Sequence, residues 1–115
     1  QEGLEMLRNR MERGEFGQVL DFDNYYESPK GGYRAYHFIV DAEDVPTEIQ
    51  LKTKRQKMLN KSSHEPYKKE KLNTEKLNEF SLLAKKADEG EKEAIAQFEM
   101  LVKYPKALEE RMTLS

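Results

Sequence analysis

Two short stretches of this chain predict a pair of neighbouring β-strands: PKGGYRAYH at residues 29–37 and EIQLKT at residues 48–53. The first stretch joins a Gly-Gly turn to a run of aromatic and β-branched residues, which favours a strand over residues 33–40. The second favours a strand over residues 47–53. Because only a short acidic segment separates the two strands, we expect them to form an antiparallel hairpin and to lie side by side.

The second strand alternates strictly between polar and apolar residues. Side chains at positions i, i+2 and i+4 of a strand point to one face of the sheet. Glu48, Gln50 and Lys52 should therefore line one face, and Ile49 and Leu51 the other. A carboxylate, an amide and an ammonium group on one face could form a polar site, although the solvent-facing side of any antiparallel sheet explains the same spacing.

Hydrophobic periodicity predicts one more strand and four helices. The strand is expected over residues 16–22 with Leu20 and Phe22 on one face, and the helices over residues 3–13, 54–62, 74–89 and 91–103. Thr74 can cap the third helix, and the last ten residues are expected to fray. A helix, three strands and then helices predict an α+β fold, with an antiparallel or mixed sheet flanked by helices.

The charge of the chain is divided unevenly along its 115 residues. The net charge is −2, but residues 1–48 carry −6, residues 49–76 carry +6 and residues 77–115 carry −2. The basic block adjoins the Glu48 strand and suits a phosphate-bearing ligand, although a solvated lysine-rich helix face is the commoner source of such a run. The absence of cysteine favours a cytoplasmic protein, and no apolar run reaches the roughly 20 residues of a membrane span.

Four residues of the two strands have side chains suited to a nucleotide site. Glu48 could bind a divalent cation or accept a proton from an attacking hydroxyl group. Tyr33 could stack on a nucleobase, although a core tyrosine explains it equally well. Lys30 and Arg34 could contact phosphates. The chain has no GxxxxGK(S/T), GxGxxG or GxSxG motif, so P-loop and Rossmann chemistry are not supported.

Three segments, in order, resemble the RelA/SpoT synthetase domain family: YYESPKGGYRAYH at residues 25–37, EIQLKT at 48–53 and SHEPYK at 63–68. The family shows a block of the form DYI-x-x-PK-x-x-GYRS-x-H, a strand E-V/I-Q-I/V/L-R/K-T and a later H-x-x-Y-K segment. The resemblance covers roughly residues 24–68. This chain departs from the family in having Asp-Asn before the tyrosine pair and one residue fewer between Pro-Lys and Gly-Tyr.

The resemblance implies a fold and an activity. Members are similar to nucleotidyltransferases in fold, and they transfer pyrophosphate from ATP to the 3′-hydroxyl of GTP or GDP with magnesium, which makes the alarmones of the bacterial stringent response. It implies that Glu48 is the catalytic residue and the magnesium ligand. It also implies a substrate-binding set of Lys30, Tyr33, Arg34, His37, Gln50, Lys52 and His64. In this set Tyr33 would stack on the acceptor guanine.

The resemblance also implies how the chain is organised. Residues 1–115 would be a single domain, with a motif-bearing core at 16–70 and C-terminal helices at 74–104. In the family an ATP-binding half precedes these motifs, and the chain starts with Gln1. We therefore expect an incomplete domain, the acceptor half, without transfer activity by itself.

Other functions remain open at this point. The chain could be a degenerate homologue that binds guanine nucleotide or a partner without catalysis, a member that pyrophosphorylates tRNA, or a structural domain with chance matches. The identity of the acceptor (GDP, GTP or tRNA) and the formation of a homo-oligomer are also open, and no membrane partner is expected.

Overall fold

The chain folds into a three-stranded sheet and five helices over the residues that the structure describes. This computed structural model describes the backbone of residues 2–68 and 72–113 and the side chains of residues 3–61 and 72–113. The elements, in chain order, are α1 (Glu2–Glu12), β1 (Gln18–Asn24), β2 (Tyr36–Ala42), β3 (Val45–Leu51), α2 (Lys54–Lys68), α3 (Thr74–Asp88), α4 (Lys92–Val102) and α5 (Pro105–Arg111). The sheet is antiparallel with the order β1-β2-β3, so the α+β class is confirmed.

The hairpin of β2 and β3 confirms the central prediction from the sequence. In its register His37 lies opposite Gln50, and Ile39 lies opposite Glu48. The two-residue turn of Glu43 and Asp44 has φ angles of 51° and 67°. Positive φ at both central residues is the pattern of a type I′ turn, whose twist matches that of the flanking strands.

Two strand predictions need correction. β2 begins at Tyr36 rather than at residue 33, because residues 30–33 form a tight turn of their own. β1 contains a bulge between Val19 and Asp21, so Leu20 is the extra residue and is 50% exposed. Val19 and Phe22, not Leu20 and Phe22, therefore pack against the core. A bulge shifts the alternation by one residue, and the sequence pattern does not reveal it.

The helical predictions were wrong at two ends. Asn73, not Thr74, caps α3, because its side chain accepts a hydrogen bond from the backbone N–H of Lys76. α2 continues to Lys68, past Pro66, although the sequence predicted that the helix would end near residue 62.

Residues 105–113 are also more ordered than expected. Pro105 begins α5 instead of only ending the preceding helix, because its fixed φ suits the first helical position. Leu108 and Met112 are then buried, with 2% and 0% of their surface exposed.

Buried apolar side chains form two clusters. The sheet core contains α1 residues together with one face of the sheet: Leu4, Met11, Tyr26, Tyr36, Phe38 and Val40. The helical core is built from α2, α3, α4 and the end of the chain: Leu59, Leu77, Phe80, Ala84, Ala87, Ala94, Phe98, Leu108 and Met112. Both clusters remove hydrocarbon from water, which is the main favourable term in folding. No helix among the described residues is long and apolar enough to cross a bilayer.

A hydrogen-bonded layer, which we call the polar layer, links the two cores through Arg34, Gln56 and Ser81, all buried. Arg34 donates from Nη1 to the carbonyl oxygen of Tyr26 at 2.7 Å and from Nε to Ser81 Oγ at 3.2 Å. Gln56 Nε2 donates to the carbonyl oxygen of Ser81 at 2.8 Å. Buried polar groups cost free energy unless they are paired, and these contacts pair them.

The turn of residues 30–33 lies directly against α3. The backbones of Lys30 and Tyr33 exchange two hydrogen bonds, of 3.0 and 3.2 Å, around Gly31 and Gly32. Both glycines have positive φ, 59° and 87°. A Cβ atom on Gly32 would lie 2.7 Å from the backbone nitrogen of Asn78, so only glycine fits there. Gly32 therefore allows the backbone of the turn to approach a helix.

The close approach of Gly32 generates a stability prediction. Gly32→Ala should lower the free energy of unfolding by roughly 2–4 kcal/mol, because it adds both a strained φ and a clash with α3. Gly90→Ala is the matched control, since Gly90 has a φ of 91° and no atom within 4 Å of an added Cβ. That variant should lose only about 1 kcal/mol. Equal losses in urea denaturation would contradict the close approach.

Candidate functional site

The candidate site lies on the face of the β2–β3 hairpin that is opposite the sheet core. Phe38, Ile49 and Leu51 turn towards that core. Their strand neighbours therefore point the other way, which places His37 beside Gln50 on the open face. Glu48, Gln50 and Lys52 share a face as predicted, although Lys52 follows β3 rather than lying within it.

Four of the predicted site residues form one hydrogen-bonded cluster, which we call the polar cluster: Tyr33, His37, Glu48 and Gln50. Tyr33 donates its hydroxyl hydrogen to Gln50 Oε1 at 2.9 Å, and His37 Nε2 lies 2.9 Å from the same hydroxyl oxygen. Gln50 Nε2 in turn donates to Glu48 Oε1 at 2.7 Å. The turn of residues 30–33 brings Tyr33 into the cluster although it is outside β2.

The hydrogen-bond directions in the polar cluster make Nε2 of His37 a donor. A phenol has one hydrogen, and Tyr33 gives it to Gln50. His37 Nε2 must therefore donate to the Tyr33 oxygen, which leaves Nδ1 as the acceptor in the neutral ring. Nδ1 lies 3.9 Å from Glu48 Oε1, so protonation of Nδ1 would create an ion pair with that carboxylate.

Glu48 is the carboxylate of this site that could hold a magnesium ion. Its side chain is 51% exposed, and Oε1 is held by Gln50. Among the described residues no group of three His, Asp or Glu side chains is arranged to bind a metal. Magnesium is commonly held by one or two carboxylates together with substrate phosphates, and Glu48 fits that arrangement and not an all-protein cage.

Cations lie at both ends of the polar cluster. Lys52 Nζ lies 5.0 Å from the centre of the Tyr33 ring, over one of its two faces. At the other end Lys30 Nζ lies 5.8 Å from the centre of the Tyr25 ring, and the Tyr25 ring contacts His37 edge-on at 5.0 Å. A ligand on this face would therefore meet positive charge on either side.

Burial changes the ionisation of two groups at this site. It raises the pKa of the Tyr33 phenol, and the neighbouring Glu48 carboxylate raises it further. Burial also lowers the pKa of the Lys52 ammonium, and repulsion by Lys57 adds to that effect. Both shifts favour the neutral form of the buried group, as desolvation does in general.

Among the described residues of the predicted substrate-binding set, Arg34 alone lies away from both the polar cluster and the cations at its ends. Arg34 points away from the open face into the polar layer, where it is 6% exposed and burial lowers its pKa. The sequence put Arg34 beside Tyr33 but could not show that α3 lies behind the turn. His64 lies outside the residues whose side chains the structure describes.

Sequence reasoning missed two residues of this region, Tyr25 and Lys57. Tyr25 contacts both Lys30 and His37, and Lys57 is close enough to Lys52 to affect its charge. The signal for Tyr25 was its place as the first residue of the block at residues 25–37. Lys57 lies one turn into a helix, and its proximity to Lys52 depends on how the chain bends between β3 and α2.

The chain was compared with protein-family models, with curated proteins and with solved structures, and none of the three comparisons finds a match. The three motifs and the geometry of the polar cluster are therefore what a functional proposal can use.

The position of Arg34 generates a prediction about stability. Arg34→Lys should lower the free energy of unfolding by roughly 1–3 kcal/mol, because a lysine cannot reach both Tyr26 and Ser81 with the same geometry. Lys30→Gln, an exposed cation in the same loop, is the control and should change it by less than about 0.5 kcal/mol. Urea denaturation measures both, and an unchanged Arg34→Lys stability would argue against a structural role.

The proximity of Glu48 to Tyr33 generates a prediction about pH. The Tyr33 phenol should titrate above its usual pKa of about 10. Glu48→Gln should bring that pKa down, because removing a negative charge makes the phenolate easier to form. Glu43→Gln, in the hairpin turn, should leave it unchanged. NMR of ring-labelled tyrosine follows the titration, and Tyr33→Phe assigns the signal. If Glu48→Gln left the pKa of Tyr33 unchanged, the Glu48 carboxylate would not be close to the Tyr33 phenol.

Proposed function

We propose that the polar cluster binds a guanine nucleotide as the acceptor of pyrophosphate from ATP, as in the RelA/SpoT synthetases that the chain resembles. The observation that carries this proposal is the continuous hydrogen-bonded connection from Tyr33 through Gln50 to Glu48. It links an aromatic ring suited to a base with a carboxylate suited to a hydroxyl group. An ordinary solvent-facing sheet surface does not require such a connection.

In this proposal Tyr33 stacks on the guanine, and Glu48 faces the 3′-hydroxyl. The 3′-oxygen attacks the β-phosphorus of ATP, the bond between the α- and β-phosphates breaks, and AMP leaves. The hydroxyl proton passes to Glu48 as general base. Transfer of this kind depends chiefly on positioning and on stabilising charge, which suits side chains held by rigid strands and by hydrogen bonds.

Several other side chains would hold the substrates and take no part in proton transfer. Gln50 holds both Tyr33 and Glu48, so it orients the acceptor side of the site. Lys30 and His37 at one end, and Lys52 at the other, would contact phosphates. A magnesium ion held by Glu48 and the phosphates would neutralise the negative charge that develops on the transferred group.

Titration with GDP tests the binding part of the proposal. Wild type should bind GDP, and Tyr33→Ala should weaken binding by about 5- to 150-fold, the range that a lost stacking contact of roughly 1–3 kcal/mol implies. Tyr33→Phe should retain most of the affinity because it keeps the ring. Tyr104→Ala, at a tyrosine that is 59% exposed, is the control. Calorimetry measures all four, and equal affinities would remove Tyr33 from the site.

Glu48→Gln tests the catalytic part. It should retain GDP binding within a few-fold and lose pyrophosphate transfer, because the amide cannot accept the proton. Transfer is measured with radiolabelled ATP in a polypeptide translated from the first codon of the gene. Full turnover by Glu48→Gln would exclude Glu48 as the base. GDP binding without transfer by the wild-type polypeptide would favour a non-catalytic nucleotide-binding module instead.

A further inference from the structure

A cavity of about 540 Å³ opens between the end of β3, the start of α2 and the N-terminal turns of α1. It is concave and has the volume of a small-molecule site. Lys52 lines it, and so does Gln50, a residue that it shares with the polar cluster. Lys54 and Lys57, from the first turn of α2, complete its basic wall. We call this space the lysine cavity.

Among the residues that line the cavity the one carboxylate is Asp88, and it is paired with Arg55 and not with a lysine. Lys52, Lys54 and Lys57 make no ion pair with any described carboxylate, whereas the fourth cation of the wall, Arg55, is paired with Asp88 at 2.8 Å. Arg55 is thus neutralised by the protein, and three lysines without an ion-pair partner remain among the residues that line the cavity. Burial lowers the pKa of the Lys52 ammonium, and repulsion by the nearby Lys57 lowers it further.

The position of these charges is unfavourable for the protein alone. The N-terminus of a helix carries partial positive charge, which favours acidic residues in the first turn and disfavours basic ones by about 0.3–1 kcal/mol each. The first turn of α2 contains no acidic residue and several basic ones. Local arrangements that oppose stability without a compensating contact are typical of functional sites.

We propose that the lysine cavity is a binding subsite for the oligophosphate chain of a nucleotide, separate from the cations at the Lys30 end of the polar cluster. An oligophosphate supplies the negative charge that the three lysines lack, and ammonium groups bind phosphates as point charges. The concave shape favours a small ligand over an extended nucleic-acid backbone. The assignment of the phosphates to the nucleotide whose base stacks on Tyr33 rests on the proposed function. The existence of an anion site in the lysine cavity does not depend on that function.

The first test uses inorganic tripolyphosphate and the whole 115-residue chain. Wild type should bind it saturably at low ionic strength, with NMR shifts in the amides of residues 54–57. The double variant Lys54→Gln/Lys57→Gln should bind at least about tenfold more weakly. Lys61→Gln/Lys92→Gln removes the same net charge elsewhere and should bind as wild type does. Circular dichroism checks that both double variants are folded.

Three results would overturn the proposal. The first is the absence of saturable tripolyphosphate binding by wild type. The second is an equal loss in the two double variants, which would indicate a diffuse charge effect. The third is a single-stranded RNA that binds through Lys54 and Lys57 and is not displaced by tripolyphosphate, which would assign these lysines to nucleic acid.

Further binding experiments distinguish a failure of this inference from a failure of the proposed function. Tyr33→Ala should leave tripolyphosphate affinity unchanged while it weakens GDP binding, so either finding can fail without the other. If the subsite takes the acceptor's phosphates, the Lys54→Gln/Lys57→Gln variant should weaken GDP binding and leave guanosine binding unchanged. If it takes the donor's phosphates, the variant should weaken ATP binding and spare GDP.

Discussion

The contact between the turn of residues 30–33 and α3 is the constraint on which the rest of the site depends. Gly32 brings its backbone against the backbone of Leu77 and Asn78, and two positions later in the chain Arg34 is tied to Ser81. Tyr33 lies between these two attachments, so its side chain is left to point away from the helix and towards the sheet face. A helix with no residue in the polar cluster thereby sets the position of the central ring.

The polar cluster illustrates how strands prepare a site before any ligand arrives. The β2–β3 register places His37 beside Gln50, and the amide of Gln50 uses both of its ends, one for Tyr33 and one for Glu48. Each hydrogen bond fixes the direction of the next, so the carboxylate is held in one orientation at the edge of solvent. The proposed chemistry requires this kind of preorganisation, because a positioned group costs little further ordering when substrate binds.

How much the sequence could predict depended on the range of the interactions involved. Period-two alternation is local, and it correctly assigned Glu48 and Gln50 to one face of a hairpin. The role of Arg34 depends on a helix some fifty residues further along the chain, so no local pattern could show that its guanidinium is buried. The bulge beside Leu20 and the burial of Met112 are likewise set by packing between distant elements. The alternation left two interpretations of this face open, a functional site and an ordinary solvent-facing surface. The hydrogen bonds of the polar cluster are the reason that we propose a site.

The polar layer has a consequence for how the molecule can open. The two apolar cores meet at Arg34, Gln56 and Ser81, where hydrogen bonds hold them together. Replacing these hydrogen bonds by hydrogen bonds to water costs much less free energy than exposing hydrocarbon to water. The backbone amide hydrogens of α4 and those of β2 therefore need not exchange with solvent in one cooperative unfolding event, since α4 and β2 belong to units with separate cores. Because the turn that bears Tyr33 bridges the two units, a partial separation would change the shape of the polar cluster while both cores stay folded.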